Sequence, residues 1–181
     1  MHRQWLLDHI EDYESRFPDE LETSERFKQF VAAHDDCFER TCVPGHVTGS
    51  AWIVDQAGER TLLTHHRKLN MWIQLGGHSD GDPNSLNVAL REANEESGLT
   101  VTPVAESIFD LDIHLIPARK SEPAHYHYDV RYILVADSDA FTVSEESLDL
   151  AWVSPKELPT LTDEESMLRM LAKWTAGQYK T

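Results

Sequence analysis

Apolar residues near the amino terminus recur at the spacing of two amphipathic helices. Over residues 3–16 they stand at Trp5, Leu6, Ile10 and Tyr13, and over residues 20–39 at Leu21, Phe27, Phe30, Val31 and Phe38. Positions three, four or seven residues apart fall on one face of an α-helix. Pro18 lies between the two patterns, where a proline interrupts a helix. Residues 1–42 are therefore predicted to form a helical amino-terminal extension.

From Val47 onward the pattern changes to short runs that are typical of β-strands. The predicted strands are SAWIV, TLLTHH and MWIQL, followed later by SIFDLDIHLI, HYHYDVRYILVA and LDLAWV. One helix separates the two groups of strands, and a last helix is predicted over residues 163–176. This order favours an α/β fold in which helices flank a mixed sheet.

The helix between the two groups of strands has recognisable ends. Asp82 is predicted to cap its amino terminus, with Pro83 at the first helical position, where the missing N–H has no consequence. Gly98 supplies a left-handed stop. Between these ends one stripe, predicted to pack on the sheet, consists of Leu86, Ala89, Leu90, Ala93 and Ser97.

Three acids occupy a different face of this helix. Glu92, Glu95 and Glu96 are neighbours, and like charges at such spacing destabilise a helix by roughly 0.2 to 0.5 kcal/mol per pair. An ordinary solvated acidic face is one explanation. The preceding strand, however, runs into Gly76-Gly77, where backbone carbonyls can approach a ligand without a Cβ in the way. Carboxylates beside a carbonyl suit a hard divalent ion such as Mg²⁺.

The segment GGHSDGDPNSLNVALREANEESGL resembles the Nudix box, G-x5-E-x7-R-E-U-x-E-E-x-G-U, in which U is apolar. Eight of the nine defined positions match, at Gly77, Arg91, Glu92, Ala93, Glu95, Glu96, Gly98 and Leu99. The first Glu of the pattern falls on Pro83. The resemblance to a Nudix domain extends over residues 43–181 and leaves the first 42 residues outside.

The resemblance implies a Nudix-type α/β/α sandwich that hydrolyses a nucleoside diphosphate linked to another moiety, with Mg²⁺ or Mn²⁺. It implies that Glu95 and Glu96 are metal ligands and that Gly77 offers its carbonyl to the metal. Glu92 would be a ligand or the base that deprotonates the attacking water, and Arg91 would orient a neighbouring Glu. Substitution at phosphorus depends mainly on positioning and on charge stabilisation, which such a site supplies.

Pro83 removes one acid of the pattern, and the loop before it carries residues that could compensate. His78, Asp80 and Asp82 lie in that loop. Asp80 could equally serve a turn, and Asp82 is more typical of a cap. His78 is predicted to contact substrate.

The segment HYHYDVRY has two alternating sets of side chains. Strand alternation places His125, His127, Asp129 and Arg131 on one face and the tyrosines on the other. A solvent-facing side of an antiparallel strand is the ordinary explanation. Because the cleft of a Nudix sandwich is lined by sheet residues beside the box helix, His127, Asp129 and Arg131 are predicted to bind substrate.

Charge limits the class of partner. The chain has 16 basic and 32 acidic residues, a net charge of -16, which argues against nucleic-acid backbones and anionic membrane surfaces. It is compatible with a small phosphate-containing substrate whose charge is screened by divalent ions. No apolar run reaches the roughly 20 residues of a membrane helix, and MHRQWLLDHIEDYE has no secretory pattern. We expect a cytoplasmic protein; a homodimer is left open.

Other functions compete with metal-dependent hydrolysis. A Nudix domain that is catalytically weak and binds a nucleotide or a protein partner is the main alternative. The isopentenyl diphosphate isomerase branch relies on a cysteine near the box, and this chain has none after Cys42. A zinc site at His34, Cys37, Cys42 and His46 would need a spacing unlike the usual C-x2-4-C patterns. The individual substrate is left open.

Overall fold

The amino-terminal segment consists of two helices, as predicted, but the second ends early. In the computed structural model, which describes residues 2–119, 123–145 and 147–179, helix α1 covers Gln4–Arg16 and helix α2 covers Leu21–Ala33. The predicted continuation to residue 39 is wrong because residues 35–38 form turns. Asp35 and Asp36 are short polar residues that favour turns over helix. Cys37, expected on a helix, is therefore a buried turn residue.

The described part of the chain contains a mixed sheet of eight strands. They are β1 Gly45–Val54, β2 Thr61–His66, β3 Met71–Ile73, β4 Leu75–His78, β5 Val101–Pro103, β6 Asp110–Ile116, β7 His125–Ala136 and β8 Ser147–Val153. Strand β1 is parallel to β7 and antiparallel to β2 and β4. Strands β5 and β6 pair with β7, while β3 and β8 pair with β2. This confirms the predicted mixed sheet.

The number of strands differs from the prediction in two ways. The run MWIQL is two strands rather than one, because β3 pairs with β2 whereas β4 pairs with β1, and Gln74 lies between them. Strand β5 was not predicted, because its three residues are too few to show alternation. The predicted β7 is correct over its whole length.

The box helix α3 covers Ser85–Ser97 and begins later than predicted. Its N-cap is Asn84, whose side chain accepts hydrogen bonds from the amides of Leu86 and Asn87. Asp82 instead accepts from the amide of Asn84 at 2.9 Å, which forms a turn before the helix, and Pro83 lies outside it. Gly98 ends the helix with φ 70°, as predicted.

Helices cover both faces of the sheet. Helices α2 and α3 lie on one face, where the Phe30 ring stacks on Tyr128 with centroids 3.8 Å apart. Helix α5, Glu165–Thr175, covers the other face through Trp174, which meets Trp52 edge-on at 5.8 Å, and a short helix α4 covers Leu158–Leu161. Leu6 belongs to the same hydrophobic core as the sheet, so the amino-terminal helices pack on it directly. Across the described residues, no helix has the length and apolar character to cross a membrane.

Candidate active site

The Gly76-Gly77 pair allows helix α3 to approach the sheet edge. On β4, Gly77 lies opposite Gly49 of β1, and Gly76 lies opposite Ser50. A Cβ on Gly77 would stand only 2.5 Å from the carboxyl group of Glu92, and a Cβ on Gly76 would overlap Ser50. The glycines therefore provide the space in which the Glu92 carboxylate lies against the backbone of β4.

Arg91 connects the box helix to the same edge. Its Nη2 donates to the carbonyl of His78 at 2.6 Å and to Oε1 of Glu92 at 3.0 Å. Glu92 is only 16% exposed in its side chain, so this ion pair is partly shielded from water. Arg91 thus contacts a neighbouring Glu, in the geometry that an orienting role requires.

The three box acids have different environments. Glu96 is buried, 8% exposed, and accepts a hydrogen bond from the amide of Gly76 at 3.4 Å. Glu95 is exposed and Glu92 is intermediate. A buried carboxylate is unfavourable unless it is paired, so the acidic face is not simply a solvated surface. Hard oxygen donors that converge on a glycine edge fit a divalent ion such as Mg²⁺ or Mn²⁺.

The loop acids that could replace the missing box Glu have other partners. Asp80 accepts two hydrogen bonds from Arg40, at 2.5 and 2.8 Å, and these bonds hold the pKa of Asp80 below its usual value. Asp82 caps the turn described above. The prediction of Asp82 as the helix N-cap is wrong, because Asn84 holds that position and Asp82 forms the turn before it. Asp80 belongs to an ion pair with Arg40.

Strand β7 carries a polar face, as the alternation predicted. His127 lies opposite His46 of β1 in the parallel pair, and Asp129 lies opposite Thr48. Asp129 is 2% exposed and accepts hydrogen bonds from Thr48 Oγ1 at 2.7 Å, Ser50 Oγ at 2.8 Å and Arg131 Nε at 2.7 Å. Its carboxylate is therefore held by its own sheet.

Arg131 does not reach the surface of this face. Its side chain is 2% exposed and pairs with Asp129 at 2.7 Å, Asp110 at 3.2 Å and Asp112 at 3.3 Å. These carboxylates come from β6 and β7 and surround the guanidinium. Direct contact between Arg131 and a substrate is at odds with this burial. The Arg131 side chain instead fixes the Asp129 carboxylate through their ion pair.

The ion-pair network extends beyond Arg131 and was not predicted. Asp110 is fully buried and also pairs with Arg169 at 2.7 Å and Lys173 at 2.7 Å, both on α5. Lys173 Nζ in turn donates to the hydroxyl of Tyr13 on α1 at 2.6 Å. The network joins the amino-terminal helices to the sheet. The alternating acids of DLD in β6 were its only local signal.

Histidines gather beside the box edge. The His46 ring lies 4.8 Å from His127, 4.9 Å from His125 and 5.0 Å from His78, measured between centroids. Burial, followed by the neighbouring His78 and His125, lowers the pKa of His46 to about 4. Burial, followed by His114 and His78, lowers the pKa of His127 to about 2. Both imidazoles are neutral at pH 7.

The zinc arrangement considered from the sequence does not form. His34 Nδ1 lies 2.9 Å from the carbonyl of Phe30, and both cysteines are buried free thiols. Among the described residues, the histidines, cysteines and acids that come close enough together to hold an ion are His46, His125 and His127, not this set. Burial first of all raises the pKa of the Cys42 thiol to about 11. His46 instead joins the histidines of β7.

A cleft of about 620 Å³ connects these groups. Of the predicted site residues, those that line it are Gly77, His78, Glu92, His127 and Asp129. Arg91, Glu95, Glu96 and Arg131 are not among the described residues of its wall. Lys68 and Arg119 are exposed at the cleft. Lys68 was not predicted, because an isolated surface cation has no local signature.

Comparison with known proteins places this geometry in a family. The NUDIX domain model matches residues 45–174, and the chain belongs to that family as a Nudix hydrolase. The first 44 residues lie outside the match.

Individual relatives agree with this assignment. Over 107 residues, 55% of this chain, it is 31% identical to the m7GpppN-mRNA hydrolase NUDT17 of Xenopus laevis, of whose length it spans 36%. A NUDIX-family hydrolase from Clostridium perfringens is 26% identical with a TM-score of 0.56, over 72% of this chain and 97% of that one. A C. elegans Ap4A hydrolase is 20% identical with a TM-score of 0.53, over 72% of this chain and 96% of that one, and shows the shared fold.

Proposed function

We propose that the protein uses a divalent metal ion, Mg²⁺ or Mn²⁺, to hydrolyse a diphosphate linkage in a nucleoside diphosphate-X type substrate. The observation that carries this proposal is the contact of the Glu92 carboxylate with Gly77, held by Arg91 at 3.0 Å. A carboxylate fixed at the wall of a cleft that also carries cations suits attack by water on phosphorus.

Four groups would hold the metal: the carboxylates of Glu92, Glu95 and Glu96, and the carbonyl of Gly77. When bound, a divalent ion supplies positive charge against the phosphate oxygens and makes a nearby water more acidic. Glu96 is already turned toward the glycine edge by its contact with the Gly76 amide. Glu95 is exposed and lies one turn after Glu92 on helix α3.

The chain's own residues have separate roles in this reaction. Glu92 accepts the proton of the attacking water as the new oxygen–phosphorus bond forms. The bridging oxygen leaves with the second phosphate, which takes up a proton from Glu92 or from solvent. Arg91 restrains Glu92 and is itself anchored on the His78 carbonyl at 2.6 Å. This restraint reduces the reorganisation needed at the moment of reaction.

Substrate phosphates would meet the cations and polar rings of the cleft. Lys68 and Arg119 are exposed there, and His78 and His127 line the cleft with rings that can donate hydrogen bonds. Two cations together with these ring donors fit an extended polyphosphate better than a single phosphate. Asp129 and Arg131, which form an ion pair at 2.7 Å, would stabilise the wall of the cleft beside these groups.

The substrate class is tested by a product-release assay with Mg²⁺ on a panel. The panel contains nucleoside triphosphates, nucleotide sugars, ADP-ribose, dinucleoside polyphosphates and, because of the Xenopus laevis relative, a free m7GpppG cap dinucleotide. We expect turnover of a compound that links two groups through phosphates. A capped RNA oligonucleotide should be a poorer substrate than the free dinucleotide, because the net charge of -16 repels its backbone.

Glu92→Gln serves as the matched control, since it keeps the shape of the side chain and removes the base. Its turnover should fall with every substrate that the parent accepts. If the parent binds nucleotides in calorimetry but shows no metal-dependent turnover on any compound, the protein is the binding module considered above and the hydrolysis proposal is wrong.

A further inference from the structure

Three histidines bring their ring nitrogens together at the wall of the cleft. His46, His125 and His127 offer one nitrogen each, and these three atoms lie within 4.8 Å of one another. The arrangement follows from the sheet, because His46 of β1 is opposite His127 in the parallel pair with β7. His125 is two residues before His127 and therefore on the same face. Well-ordered strands, rather than mobile loops, thus hold the three rings.

The nitrogens of this histidine cluster lack the partners that buried polar groups normally have. His46 is 3% exposed, and neither of its ring nitrogens has a hydrogen-bond partner among the described residues. The buried Nε2 of His127 likewise has no hydrogen-bond partner among the described residues. Unpaired buried nitrogen is unfavourable, and each instance in a native protein needs an explanation such as an ion.

His125 has the tautomer that a metal ligand needs. Its Nδ1 lies 3.0 Å from the carbonyl of Pro123, and because a carbonyl only accepts, Nδ1 carries the proton. The lone pair is then on Nε2. Histidines that bind metals commonly donate their other ring N–H to a carbonyl or carboxylate in this manner, which fixes the ring orientation.

We propose that His46, His125 and His127 bind one transition-metal ion of the zinc class, at a site separate from the glutamate site of the box helix. Imidazole nitrogens suit Zn²⁺, Co²⁺, Ni²⁺ and Cu²⁺, whereas carboxylates and carbonyls suit Mg²⁺. The two sites therefore select different ions. Because the three rings line the cleft, the remaining coordination position faces the space where substrate phosphates would lie.

The geometry requires only a modest closure of the rings. Three nitrogens about 2.1 Å from a tetrahedral zinc ion stand roughly 3.4 Å apart, compared with the 4.8 Å limit of the cluster. The side-chain torsions of the three histidines would turn to bring their nitrogens to this separation.

The test measures metal binding by the untagged protein of residues 1–181, stripped with chelator and then titrated with Co²⁺ in excess Mg²⁺. The excess Mg²⁺ occupies hard oxygen sites, and visible Co²⁺ absorbance reports nitrogen ligands. We expect one equivalent of Co²⁺, displaced by Zn²⁺. His46→Gln and His125→Gln should each weaken Co²⁺ binding by at least about 100-fold, because a three-ligand site loses an anchor.

Two control variants separate this site from its alternatives. His34→Gln removes a ligand of the zinc set suggested by the sequence, and Glu95→Gln removes a ligand of the box; both should bind Co²⁺ like the parent. Circular dichroism verifies folding. If His46→Gln unfolds, His125→Gln, at a partly exposed position, decides the result.

Absence of stoichiometric Co²⁺ binding by the parent overturns the proposal. Parental affinity in His125→Gln, or an equal loss in the Glu95→Gln control, overturns it as well. The readout is a spectrum rather than turnover. A failure of the proposed hydrolysis therefore leaves this result interpretable.

Discussion

The carboxylate of Asp129 and the guanidinium of Arg131 lie 2.7 Å apart inside the sheet, on the polar face of a single strand. Asp129 is part of the cleft wall, while Arg131 is buried behind it and is shared with two further aspartates. The pair connects the cleft to the ion-pair network that reaches helix α5 and the amino-terminal helices.

Arg131→Ala should reduce the stability of the fold more than it changes substrate affinity. Removing one partner of a buried ion pair leaves uncompensated charge and costs on the order of 3 to 5 kcal/mol. Urea unfolding followed by circular dichroism measures the effect. Arg119→Ala, at an exposed cation of the cleft, is the control and should unfold within about 0.5 kcal/mol of the parent. Equal stability of both variants would mean that the network is not important for folding.

Gly77→Ala should impair catalysis with little effect on stability. The new Cβ would lie 2.5 Å from the Glu92 carboxyl group, which must move away from the glycine edge. We expect kcat/KM to fall by about 10- to 100-fold, or roughly 1.4 to 2.7 kcal/mol. Gly58→Ala is the matched control, because nothing lies near its Cβ but its φ is +69°. It should lose about 1 kcal/mol of stability and keep its activity. The reverse pattern would contradict the role of Gly77.

Glu95→Gln and Glu96→Gln should fold and lose most metal-dependent turnover. The amide keeps the size of the side chain but not the charge that attracts a divalent ion. Steady-state assays over a range of Mg²⁺ concentrations measure the change. Excess chelator should abolish the activity of the parent. Full activity in chelator would exclude the metal mechanism, and full activity in both variants would exclude these two residues as ligands.

Pro83→Glu should leave hydrolysis unchanged or increase it. Pro83 precedes the N-cap of α3, so an acid there lies near the positive end of the helix and can be accommodated. Turnover with the best substrate measures the effect. A fall of more than tenfold in a folded variant would show that the loop is built around His78 and Asp80, so that the missing Glu is an adaptation and not a deficit.

The stability of the fold should fall as the pH is lowered from 6.5 toward 4. Burial gives His46 a folded pKa of about 4, below its unfolded value near 6.5, so the unfolded chain binds the extra proton first. The contribution of neutral His46 to the free energy of unfolding is fully present above pH 6.5. It decreases by on the order of 2 kcal/mol by pH 4.5. Unfolding of the parent and His46→Gln across this range tests it. A constant difference between the two proteins would contradict the assignment.

Local patterns were sufficient for the elements that carry the box. The stop at Gly98 and the whole of β7 could be predicted from residue types and spacing, and the match from Gly77 to Leu99 from its resemblance to the family motif. These features depend on residues close together in the chain, where the geometry of a helix or a strand directly relates side chains. The first residue of α3 could not be predicted from the sequence because Asp82 and Asn84 are both good N-caps. Only the folded loop selects between them.

The sequence by itself determined the family motif, the two faces of β7 and the helical start of the chain. Tertiary structure alone decided which polar residues of β7 are accessible, because Arg131 is enclosed by aspartates on β6 whereas His127 lines the cleft. It also brought His46 beside His127. Parallel pairing of β1 with β7 joins segments far apart in the chain, and no local periodicity encodes that register.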